Sequence, residues 1–264
     1  MAFPLSEYLA RVGVSETDSL RPDLATLTLL MQRHSNAIAF ENLDVVLRQT
    51  IDIDPEAVFD KLVKSKRGGY CFEQNILLQG ALSTIGFKVK QRLCRVRWNK
   101  VETTPKTHLS LCVEIGGLEY IADVGFAGTN SIAPICVDGQ THQLPDGAFR
   151  VSGGLVKVVE LWVSEEWRPL YDYEDVDALK VDVQQSNWWS CTHPTARFTT
   201  TLFAAIAVGK DRHHLLNDQH VVKRDGKAET TKITDVQHLR TILLDVFGVN
   251  APDGDLGRFL YAPK

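Results

Sequence analysis

Near residue 87 the period of the hydrophobic pattern changes, and that change limits the fold more than any other feature of the chain. Before it, apolar residues recur at helical spacing: Leu24, Leu27, Leu30 and Met31 in one run, Val58, Phe59, Leu62 and Val63 in another. Such spacing lays one apolar stripe along a helix. Asp23 stands at the cap of the first run, and Asp54-Pro55 sets a cap before a proline at the first helical position of the second. Ser6 is the expected cap for a short helix carrying Tyr8, Leu9 and Val12. A further helix is expected from near Tyr70 to Gly86, a natural stop. After the change, segments 87–98, 108–115, 118–124, 156–163 and 167–173 alternate or run apolar, with glycine pairs at turns. This predicts a mainly antiparallel sheet or barrel. The remainder is mixed: a short helix around 176–183, an apolar stretch over 202–208, a hairpin turning at Asp225-Gly226, and a final helix capped by Asp235.

A chain of 264 residues is long enough for about two domains, or one with an elaboration. With 44% hydrophobic and 23% charged residues it matches a globular protein and excludes wholesale disorder. A net charge of −4 argues against nucleic-acid binding through a globally basic surface. No apolar run is long enough for a membrane span, and the first residues show no signal-peptide pattern. Five scattered cysteines with no Cys-x-x-Cys pair predict free thiols, a cytoplasmic setting and no metal centre. The adjacent His213 and His214, read as helical, would point apart and lack partner ligands.

The sharpest local signal is Arg67-Gly68-Gly69-Tyr70-Cys71-Phe72-Glu73-Gln74-Asn75. Two glycines permit close backbone approach, and Cys71 follows in the first turn of an expected helix, where the dipole stabilises a thiolate. His108 and Asp123 are candidate partners. Gly116-Gly117 fits a two-residue hairpin turn. Pairing Ile115 with Leu118 then sets Ser110 opposite Asp123, with His108 diagonal to it on the same face. Taken singly, each residue also fits a structural role: a buried thiol, a surface histidine, a turn aspartate. Segment 91–108 carries Arg92, Arg95, Arg97, Lys100 and Lys106 against Glu102, a patch that either binds a polyanion or is a solvated strand face.

Together these residues resemble the arylamine N-acetyltransferase family. The match is Arg67-Gly68-Gly69-x-Cys71-x-Glu73-x-Asn75, His108 in Thr-His-Leu, Asp123 in Ala-Asp-Val-Gly-Phe, Phe40-Glu41-Asn42-Leu43 upstream, and Asn187, Ser190, Pro194 and Phe198 downstream. The resemblance implies an α+β fold: a helical bundle over 1–87, a β-barrel over 88–190 and an α/β lid over 191–264, with a thiol-protease-like Cys-His-Asp site between the first two. It implies acetyl transfer from acetyl-coenzyme A, through an acetylated Cys71, to arylamines, arylhydrazines or N-hydroxyarylamines, with no permanently bound cofactor. His108 is then the partner and Asp123 the orienter. Phe40 and Phe126 line the acceptor pocket, and Trp98, Thr103 and Thr104 lie near coenzyme A. Ala127 stands where the family often has glycine, making that loop less permissive. The same core also suits a thiol hydrolase (an amidase or thioesterase), and a catalytically inert scaffold is a third class. Arg67 and Glu41 are expected to form a partly buried ion pair.

Overall fold

The structure is a computed structural model that describes residues 2–15, 19–100, 102–126, 128–129, 131–209, 211–224 and 227–260. Ala127 and the Asp225-Gly226 turn lie outside the described residues. The chain begins with helices α1 (Leu5–Val12) and α2 (Leu24–Ala37), the short strand β1 (Phe40–Glu41), α3 (Leu43–Val46), α4 (Pro55–Phe59) and α5 (Cys71–Ile85). Strands β2 (Lys88–Val96), β3 (Lys106–Ile115), β4 (Leu118–Ala122), β5 (Ile135–Cys136), β6 (His142–Leu144), β7 (Gly147–Gly153), β8 (Val156–Val163) and β9 (Glu166–Glu174) follow. Then come α6 (Lys180–Thr192), α7 (Arg197–Thr200), β10 (Phe203–Val208), β11 (Asp211–Leu216), β12 (Gln219–Arg224), β13 (Lys227–Lys232) and α8 (Val236–Asp245).

The expected caps operate at three helices. Asp23 and Asp235 accept the backbone N–H groups of Thr26 and His238, and Asp54 accepts that of Glu56. Gly86 ends α5 in the left-handed region at φ 105°. Ser6 is not a cap: α1 starts one residue before it, at Leu5, with Pro4 in the flanking position. The helix expected over 176–183 instead spans Lys180–Thr192. Its buried stripe is Val183, Asn187, Ser190 and Cys191, so half of the inward face is polar and the apolar period is masked.

Eight antiparallel strands form a barrel-like sheet in the order β5-β4-β3-β2-β9-β8-β7-β6. One core lies inside it, built from Cys94, Ile121, Phe149, Val159, Leu170 and Tyr171. A second core joins the outer face of β3 (Leu109, Leu111, Val113) to α1, α2 and α5. A five-stranded sheet, β1-β10-β11-β12-β13, packs on α8 through the third. His213 and His214 therefore sit on strand β11, not on a helix, and face opposite sides as neighbours in a strand must. His213 stacks on His220, while His214 lies beside Gly128.

Two residues of the first region belong to the sheet of the last one. Phe40 pairs with Ala205 and Glu41 with Ala204. Asn42 locks this junction: its amide donates to the carbonyls of Phe198 and Thr201 and accepts from Phe203 N–H.

Candidate active site

Helix α5 starts at Cys71 because the preceding backbone is held on several sides. Glu41 N–H donates to Gly69 O and Gly69 N–H to Ala39 O, so 68–69 runs alongside β1. A side chain at position 68 would strike Ala39 O at 2.3 Å, and one at position 69 would strike Glu73 Oε2 at 2.6 Å. The glycine pair is thus a requirement of close approach. Gln74 adds bonds from its amide to Ala39 O and Gly69 O, and accepts from His34 Nε2 at 2.6 Å. Tyr8 closes this buried chain on His34 Nδ1. Burial pushes His34 down to about 4, so it is neutral and suits these partners.

Below the same turn lies an ion-pair network. Arg67 donates to Glu41 at 2.7 Å and to Asp44 at 2.9 Å; Lys61 contacts Asp44 at 2.7 Å and Glu73 at 2.6 Å. Glu73 also accepts Tyr70 N–H. The side chain of Glu41 is 0% exposed, so the expected Arg67–Glu41 pair is present and is buried on the carboxylate side. Burial holds Glu73 above the usual carboxylate range despite Lys61. Asp44 is also desolvated, but Lys61 and Arg67 bring it below that range.

Cys71 and Asn75 are four residues apart and share a face of α5. That face meets the start of β3 and the loop after β4. Gly116 and Gly117, at φ 59° and 81°, form the two-residue turn, and Ile115 pairs with Leu118 and Leu111 with Ala122. This is the anticipated register. It brings His108 Nε2 to 2.6 Å from Asp123 Oδ2. Cys71, His108 and Asp123 are all buried. Cys71 Sγ lies 3.7 Å from Thr107 O, and the sulfur is one of the groups that favour the charged form of the His108 ring. Gly125 lets the loop approach: a side chain there would lie 2.7 Å from Cys71 Cα and 2.8 Å from Asn75 Nδ2.

The electrostatics are those of a charged pair. Burial alone would lower His108, but the Asp123 carboxylate and the Cys71 sulfur outweigh it and raise the imidazole to about 10. Burial works against the Asp123 carboxylate too, yet His108, Asn75 and Gly125 N–H hold it below its usual value. His108 is therefore an imidazolium near neutral pH. Its ring is packed between Phe126 and Tyr171, with centroids 5.0 and 4.8 Å away. Burial raises the thiols of Cys94, Cys112, Cys136 and Cys191.

The other sequence candidates are dispersed around this centre. Phe126 lies against His108, whereas Phe40 packs on Phe198 and Phe203 and lines a small cavity with Val124 and Gly128. Trp98, Thr103 and Thr104 are in the β2–β3 loop that leads to His108. Trp98 is half-buried against the barrel core, Thr103 is exposed, and the Thr104 hydroxyl donates to Val96 O. The basic patch of 91–108 is largely answered by acids. Arg92 is 1% exposed and holds Asp175 and Asp177, Arg97 holds Asp172, and Lys106 holds Glu174. Those acids cluster at the end of β9 and just beyond it, remote in sequence from the patch they neutralise. Two contributors went unassigned in the sequence: Asn75, quoted only as part of the motif, and Tyr171, a strand tyrosine with no local signature.

A sequence profile described as N-acetyltransferase matches residues 23–255. The arylamine N-acetyltransferase of Mycolicibacterium smegmatis is 33% identical over 96% of this chain and 94% of its own, and that of Escherichia coli is 32% identical over 96% and 91%. The solved arylamine N-acetyltransferase of Salmonella typhimurium superposes with a TM-score of 0.90 at 31% identity, covering 96% of this chain and 93% of that one. The Mycobacterium marinum enzyme in complex with CoA also superposes at 0.90, with 34% identity, 97% and 96% covered. Fold and sequence together define an acyltransferase. The chain belongs to the arylamine N-acetyltransferase family. Among the described residues no helix is long and apolar enough to cross a membrane.

Proposed function

We propose that this enzyme transfers acetyl groups from acetyl-coenzyme A to aromatic amines through an acetylated Cys71, in a ping-pong cycle. The observation that carries this reading is the 2.6 Å His108–Asp123 contact beside a cysteine at the start of a helix. With Nε2 committed to Asp123, Nδ1 is the ring nitrogen left to serve the sulfur. Cys71 Sγ attacks the thioester carbonyl carbon, and first-turn N–H groups of α5 receive the developing oxyanion. The C–S bond to coenzyme A breaks, and His108 gives its proton to the departing thiolate. The amine nitrogen then attacks the acetyl-cysteine, His108 takes its proton, and Cys71 leaves as thiolate. Asp123 stabilises and orients the imidazolium throughout.

Phe126, against His108, and Phe40, beyond the 124–128 loop, are assigned to the acceptor pocket. The β2–β3 loop with Trp98, Thr103 and Thr104 is assigned to coenzyme A, whose complex is known for the Mycobacterium marinum relative. Arylhydrazines and N-hydroxyarylamines join the acceptors; the Salmonella typhimurium relative is named as an N-hydroxyarylamine O-acetyltransferase as well. The three functional regions are 1–87, 88–190 and 191–264. Five free thiols suit a reducing cytoplasm.

Mixing enzyme with acetyl-coenzyme A alone tests the cycle. About one equivalent of coenzyme A should be released, with one acetyl group on the Cys71 peptide by mass spectrometry, removed by an arylamine as acetylated amine. Intersecting double-reciprocal lines with no acetyl-enzyme in a rapid quench would refute it. Fast turnover in water, unaffected by amine, would make the protein a thiol hydrolase.

A further inference from the structure

Away from the Cys71 centre, the structure brings Cys136, Asp138 and His142 together. One donor atom from each lies within 4.8 Å of the others. His142 Nε2 is 2.8 Å from Asp138 Oδ1. The three residues occupy a particular place in the fold. Cys136 is on β5 and His142 on β6, the two end strands of the eight-stranded order. Among the described residues no ladder joins those ends: Cys136 pairs with Tyr120 of β4, and His142 with Phe149 of β7. The loop between them, with Asp138 and a left-handed Gly139 at φ 76°, crosses the open seam.

We propose that Cys136, Asp138 and His142 bind a zinc ion that clips the seam of the barrel-like sheet. The donor set selects the metal. A thiolate and an imidazole favour zinc over magnesium or calcium, which take oxygen ligands, and one carboxylate completes a three-ligand face with the fourth position left to water. The charges balance, because thiolate and carboxylate together offset the two charges of zinc. Binding exchanges the Cys136 thiol proton for the metal, and the proton passes to solvent. The ligands span only Cys-x-Asp-x-x-x-His, which matches no zinc signature. The sequence therefore predicted no metal centre, and the arrangement emerges only when the loop between β5 and β6 folds its three donors to one side.

Cobalt(II) is the probe, used in the full chain carrying Cys71→Ser so that the other functional thiol does not compete. One equivalent should give a thiolate-to-cobalt charge-transfer band and the intense visible bands of tetrahedral cobalt, both abolished by zinc. Cys136→Ser should lose the charge-transfer band. His142→Ala, at a half-buried position, should weaken zinc binding at least about tenfold and serves if the first variant fails to fold. Zinc should also slow amide exchange over 135–144. Magnesium should not compete. An unchanged cobalt spectrum in Cys136→Ser, unchanged affinity in His142→Ala, or no saturable one-equivalent binding would overturn the site. Binding without slower exchange at β5 and β6 would overturn the clip.

Discussion

Asn75 Nδ2 stands 2.9 Å from Asp123 Oδ1, so the helix that begins with Cys71 also anchors the carboxylate that faces His108. The same amide reaches Leu109 O at 2.7 Å, and its oxygen accepts Val124 N–H at 3.1 Å. One side chain thus ties α5 to the residue after His108 and to the residue after Asp123. The spacing of the Cys-x-Glu-x-Asn motif acquires a physical meaning. Cys71 and Asn75 face the sheet, while Glu73, between them, turns to the ion-pair network.

Asn75→Ala should therefore act on geometry before it acts on charge. We expect acetylation to slow by about 10–100-fold, the range for outer partners that orient a reactive group. Asp123→Asn removes the charge itself and should cost ~10³–10⁴-fold, by comparison with the serine triad. Single-turnover acetylation of soluble variants, monitored by release of coenzyme A, separates the two. An Asn75→Ala rate equal to wild type would contradict the anchoring role.

Cys71 should be the first thiol alkylated near neutral pH. The other four are held as thiols by burial, whereas Cys71 adjoins an imidazolium and a helix start. Peptide mapping after brief iodoacetamide treatment reads the order directly. Faster labelling of Cys94, Cys112, Cys136 or Cys191 contradicts it.

Glu41→Gln should destabilise the fold by roughly 3–5 kcal/mol, because Arg67 would keep its charge while losing a fully buried partner. Asp44 remains beside Arg67, which places the expectation at the lower end. Urea denaturation gives the value. A change too small to measure would mean that Asp44 alone satisfies the guanidinium.

The His108–Asp123 pair should make stability fall on the alkaline side. His108 is raised in the folded chain to about 10, above its unfolded value of ~6.5. Its contribution is complete below the unfolded value and is lost as pH rises through the folded one. Asp123 is shifted the other way, so the carboxylate's contribution is lost as pH falls through its lowered value. The stability difference between wild type and His108→Asn should accordingly shrink between pH ~6.5 and about 10. A difference that is flat over that range would refute the assignment.

Much of this centre was legible because its determinants are local or nearly so. Asp23, Asp54 and Gly86 mark helix ends by their own chemistry. Gly116-Gly117 sets a hairpin register over fewer than ten residues on each strand, enough to align His108 with Asp123. The illegible parts depend on distant neighbours or on polar residues turned inward. The buried stripe of α6 includes Asn187 and Ser190, so its apolar period fails. His213 and His214 disguise β11 because one rests on another histidine and the other fills the space left open by Gly128. Arg92 looked like a surface cation because Asp175 and Asp177, which pair with it, lie more than eighty positions away in the chain. Residues 142–144 form a short, partly polar edge strand with little alternation, and 147–153 alternates only at Phe149 and Val151 between terminal glycines, so neither was assigned as a strand.

The junction at Asn42 bears on how the protein is made. Its partners Phe198, Thr201 and Phe203 lie 156 to 161 residues downstream. As the chain leaves the ribosome, the segment carrying Cys71 emerges long before those residues exist outside the tunnel. During that interval β1 has no strand to pair with, and the backbone against which Gly68 and Gly69 settle is unsupported on its far side. Contacts of such sequence separation close late in folding. The helix that begins with Cys71 should therefore acquire its final setting only near the end of translation, and nascent chains stopped before about residue 200 should remain sensitive to protease around the Arg67-Gly68-Gly69 turn.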